Sequence, residues 1–343
     1  MWRIDEMAEW HEIAESEKQG YLLKRAGELA ASYGGDVRQA QEALCAIWGW
    51  DMNGLKSGLR VGLLGPDGTF TAAAGYNNAN RRGYEIRPVW CKDITGCFES
   101  VLERSSDIAC VPIVNSTSSA YQVNETMLCL RDYHEKGIRV YDEEVVPIAM
   151  QLAALPGVGL DDIKTVSSKD KAIQQCNGLA ETLGHGYEEL PTTSTAAAAE
   201  TLVKDHAMDR AVIVPERAAE LYGLDILARD VHDNKSNHTR FHVIANEDHP
   251  KTGDDATKIM FEYNDVGRPG LLHEVTGVIY DINMRYLQLL PVNGSLRRVS
   301  FFIDLEGHRT DPKLSSVIDS IRSMDCISRV DVTGSYPVYP HEE

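Results

Sequence analysis

"SGLRVGLLGPDGTFT", residues 57–71, carries an apolar run into a turn punctuated by Gly65 and Gly68, and then into Thr69 and Thr71, where a helix can begin. The short apolar run predicts a buried strand, and the glycines permit the tight exit that a strand-to-helix turn requires. Working outward, strand-like runs recur at "IACVPIV" (108–114), "EEVVPIAMQLAAL" (143–155), "KTVSS" (164–168), "RAVIVP" (210–215) and "TRFHVIA" (239–245). Helical stretches lie between them at 93–104, 123–135, 170–183, 194–205 and 215–223. Alternation of this kind predicts an α/β domain with mainly parallel sheets, over residues 58–245.

On the N-terminal side, residues 1–57 place Ile4, Met7, Trp10 and Ile13 at helical spacing and break at "YGGD" and "DMNG", which predicts a short helical segment. On the other side, "NEDHPKTGDDA" (246–256) is charged and rich in turn formers, as a linker would be. Beyond it, residues 257–337 read as strand (257–263), helix (269–280), strand (285–292), strand (298–305), helix (312–322) and strand (327–333). That order is the split βαββαβ topology of a ferredoxin-like domain.

The composition excludes several function classes. A formal net charge of −18 over 343 residues opposes sequence-independent nucleic-acid binding. It also means that an anionic substrate must be met by cations and backbone N–H groups gathered in one cleft. No apolar run approaches the roughly 18 residues that span a bilayer, and the charged N-terminus lacks the pattern of a secretion signal, so a cytoplasmic location and no membrane partner are expected. The seven cysteines form no C-x-x-C pair and have no histidine at zinc spacing, which predicts reduced thiols and no metal site.

Four segments hold more hydroxyl and amide side chains than packing requires. In "LGPDGTFT" (64–71), Thr69 and Thr71 sit where a helix would start, and the segment reads either as a plain strand-to-helix turn or as a site where free amides receive an anion. In "VPIVNSTSSAYQVNET" (111–126), a buried strand ends in Asn115, Ser116, Thr117, Ser118 and Ser119, where α/β sheets collect ligands, an Asn/Ser-rich loop capping the helix at 123 being the other reading. In "SSKDKAIQQC" (167–176), Ser168 reads as a cap and Gln175 follows two turns later. In "SNHTRFHVIA" (236–245), Thr239 supplies a hydroxyl beside the fixed cation of Arg240. Consecutive strand residues point to opposite faces, so a structural ion pair is the other reading of Arg240. His238 and His242 flank this motif, but packed or exposed histidines are commoner than catalytic ones.

In this order the segments resemble prephenate dehydratases. The resemblance rests on Gly65-Pro66-Asp67-Gly68-Thr69-Phe70, Pro112-Ile113-Val114-Asn115-Ser116 with Val123-Asn124-Glu125-Thr126, the stretch from Ser168 to Cys176, and Thr239-Arg240-Phe241. It covers roughly residues 59–337. It implies two α/β lobes like those of periplasmic binding proteins, with the site between them, followed by a regulatory ACT domain, and it implies no cofactor. The implied reaction converts prephenate to phenylpyruvate with loss of water and carbon dioxide. Thr239 would be the catalytic hydroxyl, with Thr69, Asn115, Ser116, Ser168, Gln175 and Arg240 binding substrate. Phenylalanine is the implied effector, and a homodimer or homotetramer the implied assembly.

Two departures from the family pattern stand out. Val114 occupies the position of a glutamate, which leaves open a relative that decarboxylates prephenate without aromatising it, or a non-catalytic metabolite sensor. In the ACT unit, Gln288-Leu289-Leu290-Pro291 replaces a Glu-Ser-Arg-Pro segment and Gly270-Leu271-Leu272 a Gly-Ala-Leu, so weak inhibition by phenylalanine is expected. The N-terminal segment is too short for the helices of a chorismate mutase.

Overall fold

The computed structural model describes residues 58–117, 123–263, 269–292 and 298–339, together with 25–27, 40 and 44 of the N-terminal segment. The reading of residues 1–57 otherwise lies outside the described residues.

The chain first builds β1 (Leu59–Leu64), α1 (Phe70–Arg81), β2 (Ile86–Cys91), α2 (Ile94–Leu102), β3 (Ile108–Asn115), α3 (Asn124–Tyr133) and β4 (Arg139–Pro147). It then crosses to a second lobe of β5 (Gln151–Ala154), β6 (Thr165–Lys169), α4 (Asp170–Ile173), α5 (Leu179–Leu183), β7 (Glu188–Thr192), α6 (Thr195–Asp205), β8 (Arg210–Val214), α7 (Glu216–Leu221) and β9 (Asp225–Ala228). It returns to the first lobe as β10 (His238–Ala245). The sheets have the strand orders β2-β1-β3-β10-β4 and β7-β6-β8-β5-β9.

These sheets are mixed, not mainly parallel. The strands next to the crossings run against their neighbours: β10 is antiparallel to β3 and β4, and β5 to β8 and β9. The cause is the double crossing: the chain leaves the first lobe along β4 and comes back along β10, so the two must run in opposite directions. The run at 143–155 is accordingly two strands, broken at 148–150 where the chain changes lobes. The helix expected over 170–183 also breaks in two, because Asp233 of the return crossing accepts from Asn177 Nδ2 (2.8 Å) and donates its N–H to Gln175 O (2.7 Å).

The C-terminal unit comprises β11 (Asp255–Tyr263), α8 (Leu271–Val278), β12 (Met284–Pro291), β13 (Val299–Glu306), α9 (Pro312–Arg322) and β14 (Ile327–Pro337). Its antiparallel sheet has the order β12-β13-β11-β14, as the ferredoxin-like reading requires. Period-two alternation gives that sheet two buried faces. Ile259, Phe261, Phe301 and Ile303 pack under α8 and α9 with Leu271, Val275, Leu314 and Ile318. Met260, Leu290, Phe302 and Tyr336 share a core with Phe98, Ile113, Met127 and Val140 of the first lobe. Docking is close enough that Gly334, at φ +153°, faces the Val140 backbone, and any Cβ there would overlap the Val140 carbonyl.

The same interface holds buried charge. Lys258 Nζ pairs with Asp304 Oδ1 at 2.6 Å, and Tyr336 donates its hydroxyl to Asp304 Oδ2 at 3.0 Å. His242, on the face of β10 that meets Tyr336, is fully buried, and neither ring nitrogen has a hydrogen-bond partner among the described residues. Burial, with the cations of Lys258, Arg240 and Arg285 nearby, pushes its pKa well below the usual imidazole value. The folded chain therefore keeps His242 neutral while the unfolded chain takes up a proton below about pH 6.5. Stability is expected to fall by up to about 1.4 kcal/mol per pH unit below that point. His242→Leu should flatten this slope in chemical denaturation at about pH 5 and pH 7, and an unchanged slope would remove the histidine from the acid sensitivity.

Candidate active site

β10 begins opposite the end of β3, so Thr239 stands directly across from Asn115 in the ladder. A bulge on β3 sets this register: Arg240 pairs with Val114 but Phe241 with Pro112, leaving Ile113 as the extra residue. Asn115 Nδ2 donates to Thr239 Oγ1 (2.9 Å) and to Asn237 Oδ1 (2.8 Å), which fixes the amide's orientation. Its Oδ1 accepts from the N–H (3.2 Å) and the hydroxyl (3.1 Å) of Thr117. From the other lobe, Gln175 Nε2 donates to Thr117 Oγ1 at 3.3 Å. A line of polar groups, Thr239, Asn115, Thr117 and Gln175, thus runs from the first lobe to the second.

Thr239 Oγ1 accepts a bond here, and its proton has no protein acceptor among the described residues. The residue is 9% exposed, so that hydroxyl sits in a largely dry position with a proton still to give.

The other candidates are placed differently. Ser116 Oγ accepts from His238 N–H (2.9 Å) and donates to Ser236 O (3.1 Å), which pins the start of β10. Thr69 caps α1, accepting from Ala72 N–H at 3.2 Å and donating to Leu64 O at 3.1 Å. Ser168 is corrected: it caps no helix, since Lys169 holds that position, and it is fully buried with its hydroxyl donated to Ile213 O of β8 at 2.6 Å. Arg240 is corrected too. It lies on the opposite face of β10 from Thr239, where its Nε is 3.9 Å from the buried carboxylate of Glu143, itself bonded by Arg285 Nη2 of β12 at 3.1 Å. Strand alternation makes this the ion-pair outcome rather than a substrate contact.

The regulatory candidates are not brought together. Gly270 and Leu271 open α8 on the helical side of the ACT sheet and Leu272 is exposed, whereas Gln288 pairs with Phe302 and faces the first lobe. Both amide atoms of Gln288 are buried without a partner among the described residues.

A second bridge between the lobes was not singled out from the sequence. Asp67 accepts two bonds from Arg217 of α7, from Nε and Nη2, both at 3.1 Å. The guanidinium lies 3.9 Å from the centre of the Tyr76 ring of α1, in cation–π contact. Beside them Gly68, at φ +83°, lets the turn approach α7, where a Cβ would stand 3.0 Å from Ala218 Cβ. The signal was present as an acid in the first turn and an arginine in "ERAAELYGL", but only the fold pairs them.

The two lobes, the ordered hydroxyl and amide chain, and the abutting ACT sheet coincide with what the comparisons find. A family model described as prephenate dehydratase matches residues 61–249. The chain belongs to the prephenate dehydratase family. It is 30% identical over 285 residues to the bifunctional chorismate mutase/prephenate dehydratase of Aquifex aeolicus, covering 82% of this chain and 75% of that protein. The prephenate dehydratase of Arthrobacter aurescens, solved in complex with L-Phe, superposes with a TM-score of 0.70 at 28% identity, covering 82% of this chain and 90% of that one. GqqA, described as a novel type of quorum quenching acylase, also gives a TM-score of 0.70, at 25% identity and with 82% and 98% coverage. Val114, which stands where the family resemblance has a glutamate, lies apart from the hydroxyl and amide line. That side chain is 8% exposed and lies in the core shared with the ACT sheet, on the face of β3 turned away from Asn115. Among the described residues, no helix is long and apolar enough to cross a membrane.

Proposed function

We propose that the chain is a prephenate dehydratase, converting prephenate to phenylpyruvate with loss of carbon dioxide and water. The observation that carries this reading is the Thr239 hydroxyl, fixed by Asn115 in the interlobe crevice and holding an unspent proton. In the reaction the ring carboxylate leaves as carbon dioxide and its bonding electrons enter the ring. The ring hydroxyl departs with the electron pair of the broken carbon–oxygen bond and, taking one proton from solvent, becomes water. Negative charge grows on that oxygen, so a positioned hydrogen bond from Thr239 stabilises the transition state more than the ground state. A threonine hydroxyl is too weak an acid to transfer its proton outright, and aromatisation provides the driving force. Asn115 holds the hydroxyl, and Thr117 and Gln175 carry the line on to the second lobe. The ACT unit, residues 257–337 by the sequence reading with β11 beginning at Asp255, would carry regulation, and assembly through it remains part of this proposal.

The position of Val114 favours dehydration over the decarboxylating alternative, because the family's glutamate at that point of β3 would face the ACT side and not the hydroxyl line. Incubating the purified protein with prephenate tests the reading. Phenylpyruvate is the expected product; a non-aromatic decarboxylated keto acid, or prephenate recovered unchanged, would overturn it.

A further inference from the structure

The crevice has an internal symmetry that assigns a role to its second bridge. β1 and β3 are parallel neighbours in the first lobe, and β6 and β8 are parallel neighbours in the second. The segments following these strands meet crosswise. The one after β3 reaches the one after β6 through Thr117 and Gln175, and the one after β1 reaches the one after β8 through Asp67 and Arg217. Ligands of open α/β sheets bind outside the carboxyl ends of such strands, so a substrate here lies between the two bridges. One bridge is built of neutral hydroxyls and amides. The other carries a guanidinium.

We propose that Arg217 binds a carboxylate of the substrate across this crevice, with Asp67 and Tyr76 as the cradle that holds the guanidinium in position. The inference rests on the proposed activity for the substrate's identity. A dianion approaching a chain of net charge −18 is repelled at long range and needs a local cation. Arg240, the cation that the sequence places beside Thr239, is turned to the other face and tied to Glu143. Arg217 is 39% exposed, and its bonds to Asp67 use Nε and Nη2, so Nη1 is not bonded to Asp67. Stacking on Tyr76 fixes the plane of the fork.

Arg217→Met should raise KM for prephenate by about 10- to 100-fold, the usual loss for one charge-assisted bond, while kcat is largely retained. Arg217→Lys should recover part of the loss, since charge is restored without the fork. A purely structural clasp predicts something else: the double variant Asp67→Arg/Arg217→Asp restores the pair with reversed polarity and would then restore KM. We expect KM to stay high in the double variant, and a return to the wild-type value would overturn the proposal, as would an unchanged KM in Arg217→Met. Direct titration of prephenate into Thr239→Val protein, with and without Arg217→Met, separates this inference from the activity. Binding that weakens with Arg217→Met supports the role of Arg217 even if the wild type proves unable to turn prephenate over. Absence of prephenate binding in the Thr239→Val protein and in the wild type overturns both.

Discussion

Thr239→Val is expected to lower kcat for prephenate by at least about 10²- to 10³-fold, the loss seen when one preorganised donor to developing negative charge is removed. Valine matches threonine in shape and in preference for strand, so β10 should keep its place between β3 and β4. What disappears is the O–H that the proposed mechanism directs at the departing oxygen. Asn115 Nδ2 would also lose an acceptor, but Asn237 Oδ1 at 2.8 Å remains to orient it. KM should change little, because the interaction strengthens only as the carbon–oxygen bond breaks. Steady-state kinetics on protein whose melting temperature matches the wild type decides the matter. Wild-type kcat in that variant would remove Thr239 from the mechanism and, with it, the functional reading of the crevice.

Asp304→Ala should produce the largest loss of stability. Lys258 and Asp304 are both buried, their contact is 2.6 Å, and Tyr336 completes the carboxylate's hydrogen bonding. Burial already holds the Lys258 pKa below its usual value, and the Asp304 carboxylate is the main influence opposing that shift. Without the carboxylate, the ammonium must lose its proton or remain unpaired between the ACT sheet and the first lobe. Breaking a buried pair from one side typically costs about 3–5 kcal/mol. Replacing both partners, as Lys258→Met with Asp304→Leu, removes the stranded charge and should recover most of the loss. Denaturant unfolding of the single and double variants provides the comparison. A single variant within about 1 kcal/mol of the wild type would show that water reaches this interface and that the ACT sheet is docked more loosely than its contacts indicate.

The interface also bears on how an ACT domain could influence chemistry. Arg240 follows Thr239 in the chain and is held by Glu143, which is held in turn by Arg285 of the ACT edge strand. The strand whose Thr239 shares one polar line with Asn115 therefore also meets the ACT sheet, through Arg240 and His242 on its other face. Val114 belongs to this second face. Its side chain packs in the core shared by the two units and takes no part in the hydroxyl line.

Much of the architecture was determined by residues that act locally. The apolar run before Gly65 and Gly68, the βαββαβ order after residue 257 and the polar segment between them depend on side-chain periodicity and turn chemistry, which short stretches of chain carry by themselves. The likeness of Asn115, Gln175 and Thr239 to family motifs was legible for the same reason. Tertiary structure alone decided that the sheets are mixed, that Ser168 serves β8 and that Arg240 faces Glu143. It alone brought Asp67 to Arg217, across a separation of 150 positions. The physical reason is that an ion pair or a cross-lobe hydrogen bond depends on where the chain returns after crossing twice, and the local pattern of polar and apolar residues carries no record of that return.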